Sequence, residues 1–316
     1  MARFIVRRAI QTLLVLFFIS VFTFLIFQVI PNGSPALRLA GRTATAQTIA
    51  SVNREWGFDK PIYIQYLVTM HKIFTGSVIS YSQQINVLAQ IKRGLPATLS
   101  LAIGAGVIWL FWGIVLGLVS AVKAGRFSDR ALAVLSLAGI STPVFVIGAI
   151  ALYLLAYRVP IFPNGGYVPI QQNPWQWFLH MILPWFSLSA LFVGFYSRVL
   201  RSNVLDTIHE DYVRTARAKG LSTRRILVRH VLRTSLIPIM SLWGLDFAGV
   251  MGGGAILTEI VFNLHGVGQY AAQSILTLDV PPILVIVMYG AFLVVLLAAL
   301  IDVLYAFLDP RIRLNA

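Results

Sequence analysis

Apolar residues dominate this chain in six long runs, and polar residues gather in the connections between the runs. Each run is close to, or longer than, the roughly 20 residues of helix that cross the hydrocarbon core of a bilayer. The pattern predicts six membrane-spanning helices, over residues 9–30, 98–122, 131–157, 178–198, 238–262 and 283–308. The length of the first run and the lack of a small-residue cleavage motif after it favour a retained anchor over a signal peptide.

The composition agrees with a membrane protein. Of the 316 residues, 58% are hydrophobic and only 11% are charged, which leaves too little polar surface for a soluble globule of this size. The sequence contains no cysteine, which excludes disulfides and thiolate chemistry.

The formal net charge of +14 is carried mainly by connections between the apolar runs, a distribution that favours a membrane protein over a nucleic-acid-binding one. Lysine and arginine are abundant before the first run, in the second and fourth connections and in the tail, and are scarce in the third and fifth connections. The positive-inside rule therefore predicts that both termini and the fourth connection are cytoplasmic. The first connection is long enough to be translocated despite its basic residues, so we expect it to be extracytoplasmic.

These features predict an all-α integral membrane protein with an N-terminal anchor helix over 1–30, an extracytoplasmic region over 31–94 and a membrane-spanning core over 95–310. The core contains a cytoplasmic loop at 199–237. Within the core, Gly113 and Gly117 in the second span, and Gly249 and Gly253 in the fifth, form small-xxx-small pairs that predict close helix packing.

The fourth connection has the pattern of two amphipathic helices joined at a glycine. Apolar residues recur at helical spacing up to Ala216, and basic residues lie on the opposite face. Gly220 is placed where a helix would end in the left-handed conformation, and Ser222 or Thr223 would cap a second helix. By itself this pattern is typical of a solvated or lipid-surface element.

Acidic residues in and beside the apolar runs are candidate functional groups. Asp246 falls near mid-bilayer, where an ionised carboxylate costs on the order of 2.5–3.5 kcal/mol, so it should face protein or water. Glu259 falls near the outer surface, and Asp302 near the inner surface, where it could pair with Arg311 or Arg313. The glycine run that includes Gly253 weakens the helix locally, which is compatible with either tight packing or a flexible section lining a path.

Several segments resemble one family of transport proteins. EDYVRTARAKGLS followed by RHVLRTSLIP is similar to the cytoplasmic loop of binding-protein-dependent ABC importer permeases, specifically the first permease of the dipeptide, oligopeptide and nickel group. The resemblance covers nearly the whole chain in order, through the segments RFIVRRAIQTLLVL, GFDKPIYIQYL, LPATLSLA, GGGAILTEIVF, HGVGQY and DVLYAFLDPRIR.

The resemblance implies a type I ABC importer permease in the cytoplasmic membrane of a prokaryote. Its partners would be a second homologous permease, two ABC ATPase subunits, an extracytoplasmic peptide-binding protein and membrane lipid, with no nucleic acid. The chain has no G-x-x-x-x-G-K-[ST] motif, so it would bind no cofactor itself, and ATP and Mg²⁺ would belong to the ATPases. It would accordingly be a transport subunit and not an enzyme.

The resemblance also implies the site residues. The ATPase-coupling residues would be Glu210, Asp211, Tyr212, Val213, Arg214, Thr215, Ala216, Arg217, Ala218, Lys219, Gly220, Leu221 and Ser222. We expect the apolar side of this loop to provide the contact and its charges the orientation. Asp246, Gly253 and Glu259 are the candidates for a translocation path, and no metal site is expected.

Two departures from the family pattern are visible. The Glu-Ala-Ala sequence for which the loop is named corresponds here to Arg214, Thr215 and Ala216, so no role of that glutamate can be transferred. His265 occupies a position where relatives commonly have proline.

Alternatives remain open at this point. Within the family, nickel or glutathione could replace peptide as cargo, although a nickel route would be expected to offer His or carboxylate ligands. In a different class, an ion-coupled secondary transporter would use Asp246 for a proton or sodium ion, but its inverted halves with paired broken helices are not evident in the sequence.

Overall fold

The computed structural model describes residues 2–29, 34–40, 44–80 and 82–308. These residues are largely helical, and the only β pairing among them is an isolated bridge between Ile79 and Asn86. The predicted all-α class is therefore confirmed. Arg311 and Arg313 lie outside the described residues, and so does the ion pair predicted between one of them and Asp302.

The helices vary from single turns to more than nine turns. In chain order they are α1 (Ala2–Phe24), α2 (Pro35–Ala40), α3 (Ala46–Trp56), α4 (Ile62–Thr75), α5 (Val87–Val122), α6 (Phe127–Ser141), α7 (Val144–Leu152), α8 (Pro174–Thr207), α9 (Asp211–Ala218), α10 (Thr223–Ile226), α11 (Arg233–Gly249), α12 (Ile256–Val261), α13 (Val267–Leu276) and α14 (Val280–Leu308). Wider π-helical turns follow α1, α7, α10 and α11, at Leu25–Val29, Tyr153–Arg158, Leu227–Leu232 and Val250–Gly254.

Among the described residues, five stretches are long and apolar enough to cross a bilayer. They are Val6–Phe27, Val87–Val122, Pro174–Thr207, Thr223–Gly254 and Val280–Leu300. A sixth span is formed if the two bent helices Phe127–Ser141 and Val144–Arg158 are taken together. The six predicted spans are thus recovered, with one of them broken.

The chain divides into two compact units. The first contains Met1–Thr98, Ala248–Ile260 and Leu264–Ala316, and the second contains Leu99–Phe247 and Val261–Asn263. Helix α5 contributes residues to both units.

The first unit has a hydrophobic core built from short helices and the ends of long ones. Its buried members come from α2, α3, the start of α5, α13 and the start of α14, and include Ala36, Val52, Trp56, Val87, Ile91, Val267, Tyr270 and Val285. Helix α1 packs along α14. The buried carboxylate of Asp279 accepts hydrogen bonds from the hydroxyls of Ser80 and Ser82, both at 2.5 Å, and so holds the turn before α5.

The second unit is organised around α8, against which α6 and α7 pack. Small residues permit the close approach. A Cβ at Gly117 on α5 would lie 2.7 Å from the carbonyl oxygen of Ser197 on α8, and a Cβ at Gly113 would meet the Cβ of Tyr196 at 2.6 Å. The predicted packing role of Gly113 and Gly117 is therefore confirmed. The same prediction for Gly249 and Gly253 was wrong, because nothing lies within 4 Å of a Cβ on Gly249 and only Ile256, three residues along the chain, lies near one on Gly253.

Helix α5 begins at Val87, eleven residues before the predicted start at residue 98, and it continues through Pro96. The boundary prediction was wrong because Pro96 and the charged residues before it look like a connection. Val87, Ile91 and Gly94 are buried at helical spacing, so packing extends the helix that the local sequence disfavours.

The third predicted span is not one continuous helix. It breaks between α6 and α7, whose axes are bent by 97°. Pro143 explains the break, because the residue before a proline is driven into extended conformation, and Thr142 has φ −93° and ψ 124°.

The second helix predicted in the fourth connection is not separate from the fifth span. It starts at Thr223 and continues through α10, a π-helical turn and α11 into the fifth span. The run of polar and basic residues hid this continuity, because the predicted span began only at residue 238.

Close packing of α14 against the glycine-rich turn gives a first prediction. A Cβ on Gly290 would lie 2.7 Å from the carbonyl oxygen of Gly252, so Gly290→Ala is expected to lower the free energy of unfolding by roughly 1–3 kcal/mol. Nothing lies within 4 Å of a Cβ on Gly249, so Gly249→Ala is the matched control and should leave stability unchanged or slightly raised. Thermal unfolding in detergent measures both variants, and equal melting temperatures would contradict the packing argument.

Candidate functional site

The residues predicted to couple to an ATPase form one short connection between α8 and α10. Glu210 precedes α9, which runs from Asp211 to Ala218, and Gly220 follows it with φ +74°. The predicted left-handed glycine is confirmed. Ser222 lies at the predicted cap position of the next helix, but its side chain makes no capping hydrogen bond.

The apolar face of this connection is turned into the chain. Val213 is fully buried and Ala216 is 7% exposed, so neither is available to a partner in this conformation. The apolar side of the loop, which was expected to provide the contact, is therefore not exposed at these two positions. The exposed side chains on α9 and at its C-terminal end are Asp211, Tyr212, Arg214, Thr215, Arg217, Ala218 and Lys219.

The exposed surface of the connection is basic. Asp211 lies 3.5 Å from Arg214, but both side chains are so exposed that this ion pair contributes little to stability. Cations continue along the following helix, where Arg224, Arg225, Arg229 and Arg233 are all exposed. A partner surface rich in carboxylates would match this charge.

Hydrogen bonds fasten the two ends of the connection to each other. The hydroxyl of Ser235 on α11 approaches the carbonyl oxygen of Asn203 and the hydroxyl of Thr207, both at 3.2 Å. The hydroxyl of Tyr212 reaches that of Thr234 at 3.3 Å. Helix α9 is thus mounted on the ends of α8 and α11 and is not a free loop.

Asp246 lies on α11 and is half-buried. Its carboxylate accepts a hydrogen bond of 2.7 Å from the hydroxyl of Tyr196, a fully buried residue of α8. One turn earlier on α11, the indole N–H of Trp243 donates to the carbonyl oxygen of Gly106 on α5. Sequence reasoning found Asp246 but not Tyr196, because nothing in FVGFYSR distinguishes this tyrosine from its aromatic neighbours.

Gly253 marks a break in the helix that follows. Its φ is +136°, outside the range open to residues with a side chain, and the π-helical turn Val250–Gly254 ends here. Its neighbour Gly252 lies against α14, where a Cβ would collide with Val294. Packing requires glycine at Gly252, and backbone conformation requires it at Gly253.

Glu259 lies on α12, beyond the fifth span, and is fully buried. Its carboxylate accepts a hydrogen bond of 2.6 Å from the hydroxyl of Thr98 and one of 2.8 Å from the backbone N–H of Gln269. Gln269 is in the first turn of α13, so the carboxylate caps that helix. In this conformation Glu259 holds the segment between α12 and α13 and presents no surface to solvent.

That segment contains His265, the departure from the family pattern. Its φ is +55°, which proline cannot adopt, and its backbone N–H donates to the side-chain oxygen of Gln269 at 2.7 Å. Gly266 has no room for a side chain, since a Cβ would overlap the Glu259 carboxylate.

Within the described part of the chain, no group of three His, Cys, Asp or Glu residues could hold a metal ion. Asp246 and Glu259 each lie in surroundings of their own, and neither is accompanied by the ligand set that a transition metal needs.

Comparison with known proteins identifies the family. Residues 113–314 match the profile of binding-protein-dependent transport system inner membrane components, and residues 1–102 match the N-terminal part of such membrane components. A probable peptide ABC transporter permease of Sinorhizobium fredii is 37% identical, over 99% of this chain and 100% of that protein.

Two relatives from Escherichia coli extend the comparison. A probable D,D-dipeptide transport system permease of strain K12 is 33% identical over 93% of this chain and 92% of its own. A glutathione transport system permease of strain CFT073 is 32% identical over 99% of both chains. These matches confirm the resemblance and the permease fold inferred from the sequence motifs.

The buried carboxyl of Glu259 predicts a pH dependence of stability. Burial raises its pKa above the ordinary value of 4.5. Because the folded pKa exceeds the unfolded one, the stability that this group contributes is complete below the unfolded pKa and is lost as the pH rises through the folded pKa. Glu259→Gln keeps the shape but does not titrate. The melting temperature of the wild type in detergent should therefore fall relative to that of Glu259→Gln as the pH is raised from about 4 to about 8.

The wild type melted at each pH on the same preparation is the reference for this measurement. A difference in melting temperature between Glu259→Gln and the wild type that does not vary with pH would contradict the burial argument.

Proposed function

Because the chain belongs to the family of binding-protein-dependent transport system inner membrane components, we propose that it is the permease subunit of an ABC importer for di- and oligopeptides. The importer would be completed by a second homologous permease, two ATPase subunits that bind ATP and Mg²⁺, and an extracytoplasmic peptide-binding protein. It would lie in the cytoplasmic membrane of a prokaryote. Hydrolysis of ATP would belong to the partner subunits.

The observation that carries the mechanism is a short, exposed basic helix rigidly mounted between two membrane-spanning helices. Tyr212 ties α9 to α11, Ser235 ties α11 to the end of α8 from which α9 follows, and basic side chains dominate the exposed surface of α9. We place this helix on the cytoplasmic side, in accord with the positive-inside rule, together with both termini. An ATPase that binds residues 210–222 would move α8 and α11 directly, because no flexible linker intervenes.

The polar nature of this contact surface specifies the interface. Tyr212 and Arg217 are exposed, whereas Val213 and Ala216 are buried and only support the helix. Aromatic and arginine side chains commonly dominate binding energy at protein interfaces. Tyr212, Arg214, Arg217 and Lys219 would therefore meet an acidic groove on the ATPase.

Asp246 and Gly253 are the candidates for the translocation path. A half-buried carboxylate in a membrane-spanning helix should face water or protein, and the hydroxyl of Tyr196 orients it. The backbone break at Gly253 would allow the helix to change direction beside the path. For Glu259 we propose a supporting role in the same region, because its carboxylate is occupied by Thr98 and Gln269.

Gly220 provides the test of coupling. A β-branched residue is strained at φ +74°, and nothing lies within 4 Å of a Cβ there, so Gly220→Val should distort the end of α9 without overpacking it. In the complete importer reconstituted in vesicles, we expect insertion and assembly to persist and peptide uptake per ATP hydrolysed to fall about tenfold, within the usual range of coupling energies.

The matched control is Gly57→Val, which introduces a similar strain at φ +68° at the end of α3, far along the chain from the coupling loop. This variant should lose stability but retain the wild-type ratio of uptake to hydrolysis. Unchanged transport by Gly220→Val, or equal uncoupling by both variants, would contradict the proposed coupling role.

The cargo is tested by competition. With the described residues offering no metal-binding cluster, we expect an unlabelled di- or oligopeptide to inhibit uptake of a labelled peptide and Ni²⁺ to leave uptake unchanged. Glutathione, itself a small peptide and the substrate named for one relative, belongs in the same assay as a third competitor. Inhibition by Ni²⁺ alone would favour the nickel alternative, and uptake that survives ATP depletion but not loss of the ion gradient would favour a secondary transporter.

A further inference from the structure

A buried carboxylate joins three helices of the second unit. Asp129, in the first turn of α6, accepts two hydrogen bonds from the guanidinium of Arg201 on α8, each of 2.8 Å. It also accepts one of 2.6 Å from the hydroxyl of Ser120 on α5 and one of 2.8 Å from the backbone N–H of Gly125. The Asp129 side chain therefore holds together the end of α5, the connection between α5 and α6, the start of α6 and the C-terminal part of α8.

The chemistry of this junction makes it rigid. The Asp129 side chain is 7% exposed, and a buried carboxylate is stable only with charged or polar partners in good geometry. The two parallel N–H···O bonds of a bidentate arginine–carboxylate pair fix orientation as well as distance. Movement of α8 relative to α6 would therefore break several charge-assisted hydrogen bonds together.

The position of Arg201 connects this junction to the coupling loop. Arg201 lies in the last turns of α8, which ends at Thr207, and α9 begins at Asp211. The hydrogen bonds of Ser235 hold the end of α8 against α11. A displacement of α9 thus passes through the hydrogen-bonded turn at residues 208–210 to the end of α8, and along α8 it reaches Arg201 and Asp129.

We propose that Asp129 and Arg201 are positioning residues that transmit displacement of the coupling loop from α8 to α5 and α6. This proposal rests on the proposed function, since it assumes that α9 receives the ATPase. Neither residue touches cargo or nucleotide, and their role is to make α5, α6 and α8 move as one body. Sequence reasoning treated Arg201 as one cation of a basic loop and did not single out Asp129.

The test uses the complete importer reconstituted in vesicles, with ATP hydrolysis and peptide uptake measured on the same preparation. Asp129→Asn and Arg201→Gln each remove one charge of the pair. We expect both variants to keep hydrolysing ATP while uptake per ATP falls about tenfold, within the range of allosteric coupling. Arg201→Lys keeps the charge but loses the bidentate geometry. Its uptake per ATP hydrolysed should be higher than that of these two variants and lower than that of the wild type.

Arg198→Gln is the matched control. Arg198 is on the same helix, one turn before Arg201, and is exposed. This variant should retain the wild-type ratio of uptake to hydrolysis. If it uncouples to the same extent as Arg201→Gln, the effect belongs to the charge of α8 and the junction is not responsible.

A distance measurement separates transmission from a merely structural role. This chain has no cysteine, so in an importer whose partner subunits also lack reactive cysteines spin labels attach only at Lys123→Cys and His209→Cys, two exposed positions outside the coupling residues 210–222. In the otherwise wild-type importer the distance between the labels should be the same without nucleotide and with ATP. In Asp129→Asn the distance should change on ATP binding, because α9 then moves without the connection between α5 and α6.

Other outcomes overturn the proposal. Uptake and hydrolysis that fall in proportion, with a label distance independent of ATP, would show that the junction only stabilises the fold. If a charge-removing variant does not insert into the membrane, Ser120→Ala is tested in its place, because it keeps the ion pair and removes one hydrogen-bond donor to Asp129. It should show a smaller loss of coupling, and wild-type coupling in it and in Arg201→Lys would count against transmission. If Gly220→Val uncouples and these variants do not, the junction proposal fails while the proposed function stands.

Discussion

The constraint on which this structure depends is that a polar or charged group surrounded by apolar protein and lipid must find its partners within the chain. Water cannot supply these partners in the hydrocarbon core. Burying a charge without a partner costs several kcal/mol, which is on the order of the whole folding free energy of a domain. Three of the carboxylates described above illustrate this rule. Asp129 is paired with Arg201, Asp246 accepts from Tyr196, and Glu259 is held by Thr98 and Gln269.

Each of these pairings does more than provide a carboxylate with hydrogen-bond donors. Because the partners belong to different helices, every carboxylate also fixes where two helix axes lie relative to each other. Apolar side chains in a membrane cannot do this as specifically, since lipid tails compete for the same contacts and close packing depends on small residues such as Gly117 and Gly290. Packing brings the helices together, and the polar junctions determine their register.

The polar character of the proposed coupling surface is explained by the same constraint. A helix between two membrane spans has an apolar side, and this side is most stable against its own chain, so Val213 and Ala216 are buried. What remains for a partner is the polar side, with Tyr212 and the arginines. The surface proposed to receive an ATPase is therefore available without exposing apolar area when the partner is absent, which limits nonspecific association.

The sequence by itself determined the class, the spans and the family of this protein. Long apolar runs can only be buried in a bilayer, and the motifs around Gly220 and Gly253 fix backbone conformations that few residues other than glycine adopt. These are properties of local composition and backbone geometry, and they can be read one segment at a time. The candidate coupling residues 210–222 came from the resemblance to the permease family, whose motif also lies in one segment.

Only the tertiary structure decided helix boundaries, orientation of faces and partners. Val87 begins α5 because distant residues pack on its first turns, and the basic stretch before residue 238 is helical because it continues a span. Asp129 and Arg201 are 72 residues apart, and Thr98 and Glu259 are 161 residues apart. No local pattern relates such pairs, because a hydrogen bond depends on separation in space, and that separation is set by the packing of the whole chain.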